Sequence, residues 1–177
     1  MLYTRKGDTG TSGLFGSKER FPKDSPVYEA LGTLDELNSL LGVCRAKAGV
    51  LSTFSDVASE LVRVQQNLFI VQAEIAGAEK SIPKVRVDEL ECAVNDIEAL
   101  IHNPHSFVLP GATELSALLD YARAVSRRAE RAVIAARGIR PVSAFTAAYL
   151  NRLSSLLYAL ARYTAMEAGV KEPAPAY

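Results

Sequence analysis

Hydrophobic residues return every third or fourth position over most of this chain, and glycine or proline interrupts them at intervals. That spacing lines them up on one face of an α-helix, which turns about 100° per residue. The first such stretch starts after Pro26 and runs to about Lys47; Gly32 and Gly42 lower its helix propensity and Gly49 marks a stop. A second follows Ser55 and Asp56, with Leu61, Val64, Leu68, Val71 and Ile75 in register, and fades near Gly77. Ser81-Ile82-Pro83 opens a third, carrying Val87, Leu90, Val94, Ile97 and Ile101. The turn His102-Asn103-Pro104-His105 is read as its end, and Phe107-Val108-Leu109-Pro110-Gly111 as a short extended connection. The fourth begins near Thr113 and Glu114, with Leu115, Leu118, Leu119, Ala122, Ala129 and Val133, and Gly138 closes it. Pro141 starts the fifth, with Phe145, Tyr149, Leu153, Leu156, Leu160 and Tyr163. No segment has the period-2 alternation of a strand. Five helices with short connections predict an all-α, five-helix up-and-down bundle. Residues 171–177 read as a loose tail.

Composition narrows the function classes. A chain of 177 residues fits one domain, and 49% apolar with 23% charged residues is ordinary for a soluble protein. The formal net charge is +0, which argues against general nucleic-acid binding, since that needs a basic surface. No apolar run approaches the roughly 20 residues of a membrane span, so no membrane partner is expected. The N-terminus lacks the apolar core of a signal peptide, and Cys44 and Cys92 have neither metal-type spacing nor a disulfide framework. The cytoplasm is the expected compartment.

Two segments depart from the plain bundle. In the first, Gly7, Gly10, Gly13 and Gly16 recur at three-residue intervals among Thr4, Arg5, Lys6, Asp8, Thr9, Thr11 and Ser12. Glycine permits positive φ and close approach of main-chain N–H groups to an anion, while the hydroxyls and basic side chains add donors and charge. No Walker A or dinucleotide fingerprint fits. The alternatives are a flexible arm and an anion-binding loop, in which Asp8 would serve a phosphate-bound Mg²⁺ or cap a turn. In the second segment, Arg123, Arg127, Glu130 and Arg131 stand at i, i+4, i+7 and i+8, on a face of the fourth helix away from its apolar stripe. That face is either solvated, with Glu130 bridging Arg127 and Arg131, or a set of planar donor forks for phosphate. Arg128 points about a quarter-turn away. Asn151 lies on the polar side of the fifth helix, and Asp35 on the first helix carries a carboxylate for a stripe arginine, within a chain or across a subunit boundary.

Hydrolytic sites are hard to assemble. His102 and His105 are the only histidines, and no Ser-His-Asp or Cys-His arrangement suggests itself. A polyphosphate site without a general base fits a reaction whose nucleophile comes with the substrate. Catalysis is then positioning and stabilisation of leaving-group charge.

Six motifs, in order along nearly the whole chain, resemble the PduO-type ATP:cob(I)alamin adenosyltransferases. They are Tyr3-Thr4-Arg5-Lys6-Gly7-Asp8-Thr9-Gly10, Pro22-Lys23-Asp24, Gly32-Thr33-Leu34-Asp35-Glu36-Leu37-Asn38, Phe107-Val108-Leu109-Pro110-Gly111, Arg127-Arg128-Ala129-Glu130-Arg131 and Tyr149-Leu150-Asn151-Arg152-Leu153-Ser154. The resemblance implies a single adenosyltransferase domain over 1–177: an ATP-binding loop at 1–25, a ferritin-like bundle at 26–170 and the tail. It implies a homotrimer with sites between subunits, and transfer of the 5′-deoxyadenosyl group of ATP to the cobalt of cob(I)alamin with release of triphosphate. Cob(I)alamin, itself a strong nucleophile, would explain the missing base.

Carried over by position, Thr4, Arg5, Lys6, Gly7, Asp8, Gly10, Thr11, Ser12, Gly13 and Lys23 would bind ATP from the loop. Arg127, Arg128, Glu130, Arg131 and Asn151 would complete the nucleotide site from the helices. Arg127 would be the principal phosphate contact in the transition state. Mg²⁺ would bridge phosphate oxygens, with no metal held by protein ligands alone. Asp35 and Arg123 would form an inter-subunit ion pair beside the corrin, and Phe107 would sit under the corrin and displace the lower axial ligand of cobalt, a use that can coexist with core packing. Gly13 stands where many members carry Ser or Thr, and Lys6 where a Thr is common. A cobalamin reductase and an adenosylcobalamin-dependent enzyme are the implied protein partners. The alternative function is a non-catalytic ATP- or corrinoid-binding sensor or adenosylcobalamin carrier.

Overall fold

The computed structural model describes residues 3–101 and 107–176. Its five helices are α1 (Pro26–Gly49), α2 (Ser55–Ile75), α3 (Lys84–Leu100), α4 (Glu114–Ala136) and α5 (Ala144–Glu167). The helix boundaries expected from periodicity lie within a few residues of these. α1 has Pro26 in its first turn, where the missing N–H costs nothing. α4 opens on a reciprocal cap: Ser116 N donates to Thr113 Oγ1 at 3.1 Å, and Thr113 N donates to Ser116 Oγ at 2.9 Å. α5 starts at Ala144, three residues beyond Pro141, because Ser143 takes the cap and accepts from Thr146 N at 3.1 Å. A 3-10 turn, Ser52–Phe54, joins α1 to α2. The histidine turn expected to end α3 lies outside the described residues.

Side-chain pairs along the bundle fix helix directions: α4 runs opposite to α5, with Asp120 bonded to Arg162 and Glu130 to Asn151. Lys47 near the end of α1 pairs with Glu114 at the start of α4, and Asn67 of α2 donates to the Tyr149 hydroxyl of α5 at 3.1 Å. The spatial order differs from the chain order. α1 packs between α2 and α4, and α5 packs between α4 and α3. Leu150, Leu153, Leu156, Leu157, Leu160 and Ala161 are all buried, so α5 is apolar around most of its girth. The same core includes Leu34, Leu37 and Leu41 of α1, Leu61 and Leu68 of α2, and Leu119 of α4. α3 buries only Val87 and Leu90 and lies on the outside. Burial pushes the Tyr149 hydroxyl up to about 12, despite the hydrogen bond from Asn67.

Two features differ from the sequence expectation. Thr11–Gly13 and Arg20–Pro22 pair as antiparallel strands β1 and β2, with Ser12 opposite Phe21. Three-residue strands are too short for alternation to be detected. Residues 171–176 are tied down rather than loose: Pro173 O accepts from Leu109 N at 2.8 Å, and Glu172 forms an ion pair with Arg162 at 2.7 Å. A charge at Arg162, 3% exposed, demands partners there.

Candidate functional site

The glycine-rich segment is built as a hairpin on one end of the bundle. Leu14 is buried in the core, and the Arg140 guanidinium lies 5.7 Å from the Phe21 ring centroid. Within the hairpin, Gly10 takes φ +79°, a left-handed conformation that a side chain would strain, and its carbonyl accepts from Lys23 N at 2.9 Å. Gly7 serves differently: a Cβ there would stand 3.0 Å from Lys23 Nζ, so its lack of a side chain lets the ammonium close on the loop. Arg5 also takes a positive φ, +60°, and its guanidinium lies 5.4 Å from the Tyr3 ring centroid. Thr4, Arg5, Lys6, Asp8 and Gly10 are exposed, and Thr11 and Ser12 half-buried. Basic residues Arg5 and Lys6 of this loop are thus exposed.

Sequence reasoning missed the residue that organises it. Arg20 donates through Nε to Thr11 Oγ1 at 2.9 Å and through Nη2 to Thr11 O at 2.8 Å and to Lys6 O. One planar guanidinium thereby clamps both arms of the hairpin. Nothing in the sequence distinguishes Arg20 from its basic neighbours until the strand pairing is known.

The arginine stripe lies on the outer face where α4 meets α5. Arg127, Glu130, Arg131, Ile134 and Asn151 line a cavity of about 310 Å³. Arg127 also lines a second cavity of about 380 Å³, shared with Arg123 of α4, Glu98 of α3 and Tyr158 of α5. Arg127 is therefore common to both. Glu130 does not bridge the arginines; its Oε1 accepts from Asn151 Nδ2 at 3.0 Å. Asn151 Oδ1 in turn accepts from Arg152 Nη1 at 3.1 Å, and Arg152 Nε donates to Glu91 at 3.0 Å. Among the described residues, Arg127 and Arg131 form no ion pair, so their forks are available to an anion.

Several expected site residues stand elsewhere within the chain. Arg128 turns to α1 and pairs with Glu36, away from the Arg127 cavity. Asp35 is exposed in a separate groove of about 750 Å³ between α1 and α2, with Phe15, Phe69 and Lys80. It does not meet Arg123, whose Nε lies 4.0 Å from Asp120 Oδ1. Phe107 is 78% exposed, so core packing does not hold its ring. No hydrogen bond or ion pair among the described residues links positions 3–13 to the α4 stripe. Neither cysteine joins these groups: Cys44 is buried, with its thiol pushed up to about 11 by burial, and Cys92 is exposed. Among the described residues no three His, Cys, Asp or Glu side chains gather as a metal site, and no helix is long and apolar enough to cross a membrane.

Comparison with known proteins gives one consistent result. A family model described as cobalamin adenosyltransferase matches residues 2–164. The corrinoid adenosyltransferase PduO of Salmonella typhimurium is 40% identical over 168 residues, covering 91% of this chain but 48% of that protein. The chain thus spans about half the length of that relative. The corrinoid adenosyltransferase of Bacillus subtilis is 35% identical over 173 residues, covering 96% of this chain and 89% of that one. A solved structure of a variant PduO-type ATP:corrinoid adenosyltransferase from Lactobacillus reuteri, complexed with cobalamin and ATP, superposes with a TM-score of 0.92 at 27% identity, covering 99% of this chain and 96% of that chain. With the helical bundle, the basic hairpin and the arginine face already in place, this chain belongs to the cobalamin adenosyltransferase family.

Proposed function

We propose that this chain transfers the 5′-deoxyadenosyl group of ATP to the cobalt of cob(I)alamin, forming adenosylcobalamin and triphosphate. The observation that carries the reading is the pair of arginines, Arg127 and Arg131, without an ion-pair partner among the described residues, on a cavity whose other polar groups, Glu130 and Asn151, are bonded to each other. A cation pair left free beside a satisfied amide suits an anion that arrives from solution. In the reaction, the electron pair of Co(I) forms the cobalt–carbon bond at C5′ as the C5′–oxygen bond breaks. The negative charge leaves with triphosphate, and no proton has to be removed.

The residues supply placement and charge. The exposed donors of Thr4, Arg5 and Lys6 and the half-buried Ser12, with Lys23 against Gly7, would hold the phosphates, with Gly10 and Gly13 in the same loop. Arg127 lines both cavities and stands where the nucleotide side would meet the corrin side. Its fixed fork would stabilise the leaving charge most. Mg²⁺ accompanying the nucleotide would be held by phosphate oxygens, with Asp8, the exposed acidic residue among positions 4–13, available beside them. Asp35 and Arg123 face different grooves of one chain, which supports a pair formed between two copies in a homotrimer. Exposed Phe107 supports an apolar contact with the corrin.

Replacing Arg127 tests the assignment. Arg127→Ala is expected to lower the rate of adenosylcobalamin formation by roughly a hundredfold or more. Its thermal midpoint should stay near that of the unaltered protein, because the side chain is exposed and unpaired. Full activity in this variant would remove Arg127 from the site.

A further inference from the structure

The C-terminal residues contain an arrangement that the proposed chemistry does not use. α5 ends at Glu167, and Gly169, just past the Ala168 cap, takes a φ of +68° that reverses the chain; Val170 N donates to Ala165 O at 3.1 Å and Gly169 N to Met166 O at 2.8 Å. That pair of bonds is a Schellman ending, and it turns the last residues back along the helix. They then meet Arg162, 3% exposed on α5. Its Nη2 donates to Asp120 Oδ2 of α4, its Nε stands 2.7 Å from Glu172 Oε2, and its guanidinium lies 4.8 Å from the Tyr158 ring centroid. The Glu172 side chain is 13% exposed.

Both acids of this buried triad lead towards expected site residues. Asp120 Oδ1 also faces Arg123 Nε at 4.0 Å, so the second carboxylate charge is shared with an arginine of the groove. One residue beyond Glu172, Pro173 O accepts from Leu109 N at 2.8 Å. Leu109 lies two residues from Phe107. Among the described residues that bond is the only backbone hydrogen bond between residues 171–176 and the rest of the chain. A segment held at one backbone point needs a side-chain anchor to stay in place, and Glu172 supplies one.

We propose that Glu172 is a positioning residue for the corrinoid side of the site: paired with Arg162 and Asp120, it holds the Pro173 carbonyl in place to fix the Phe107–Pro110 segment. The role towards corrinoid rests on the reading given under Proposed function; the tether to Leu109 does not.

Two measurements on the full-length Glu172→Ala protein separate these parts. The first is amide hydrogen exchange at Leu109 without ligands, where at least a tenfold loss of protection is expected. The second is the Michaelis constant for each substrate. That for cob(I)alamin should rise about tenfold, and that for ATP should stay within twofold. Glu172→Gln, which keeps an acceptor for Arg162, should recover part of both effects. A chain ending after Val170 should reproduce Glu172→Ala if the tether is the cause. Unchanged Leu109 exchange would overturn the tether. Equal changes for both substrates, together with a lowered thermal midpoint, would reduce Glu172 to a structural role and overturn the positioning. If the unaltered protein forms no adenosylcobalamin, the reaction assignment fails and the corrinoid role with it, while the exchange data still decide the tether.

Discussion

Arg20, Arg127 and Arg128 are three arginines whose different duties follow from their partners rather than their type. Arg127 keeps its fork free, Arg128 spends its own on Glu36, and Arg20 binds only main-chain and threonine oxygens of its own hairpin. An exposed pair such as Arg128–Glu36 contributes about 0–1 kcal/mol, so its chief effect is to orient Arg128 towards α1. Arg20 matters more for binding, because it fixes the loop before a ligand arrives and so reduces the ordering cost on association. Arg20→Ala should therefore weaken ATP binding about tenfold in calorimetry while leaving helix content and the thermal midpoint little changed. Unaltered ATP affinity would show that the hairpin needs no clamp. The i, i+4, i+8 spacing of Arg123, Arg127 and Arg131 made their common face legible in the sequence. The turning away of Arg128 was legible only as an angle, because its partner Glu36 is 92 positions distant.

At the scale of elements, the sequence was most readable where a long repeat had a chemical stop. α1, α2 and α4 begin and end close to the expected residues because proline, serine, threonine and glycine act locally at their ends. The hairpin and the C-terminal segment were not readable, for the same physical reason in both cases. Their order comes from contacts far apart in sequence: Arg20 with Lys6 and Thr11, Glu172 with Arg162, and Pro173 with Leu109. A weak signal existed for the C-terminal segment. Arg162 follows Leu160 and Ala161 on an otherwise apolar part of α5, and a charge in that setting requires a buried acid. Asp120, beside Leu119 on α4, is that acid.

For the molecule as a whole, the bundle divides the expected site between separate surfaces. Phe15 of the hairpin and Asp35 share a groove with α1 and α2, and the arginine face lies on α4 and α5. The account therefore expects each complete site to draw on two copies. A chain with Lys6 and Lys23 both changed to alanine, and a second carrying Arg127→Ala, should each be nearly inactive alone. Mixed after denaturation and refolding, they should recover a measurable fraction of the activity, because some interfaces then combine an intact loop with an intact arginine face. No recovery in a mixture that demonstrably exchanges subunits would place the whole site within one chain.

The central claim is the reaction itself, and one measurement addresses it most directly. Under anaerobic conditions, with ATP, Mg²⁺ and chemically reduced cob(I)alamin, the corrin absorbance and the released phosphates are followed together. The account predicts conversion to the adenosylcobalamin spectrum with one triphosphate for every cobalt–carbon bond formed. An unchanged corrin spectrum despite ATP binding, or release of phosphate without a new cobalt–carbon bond, would contradict it.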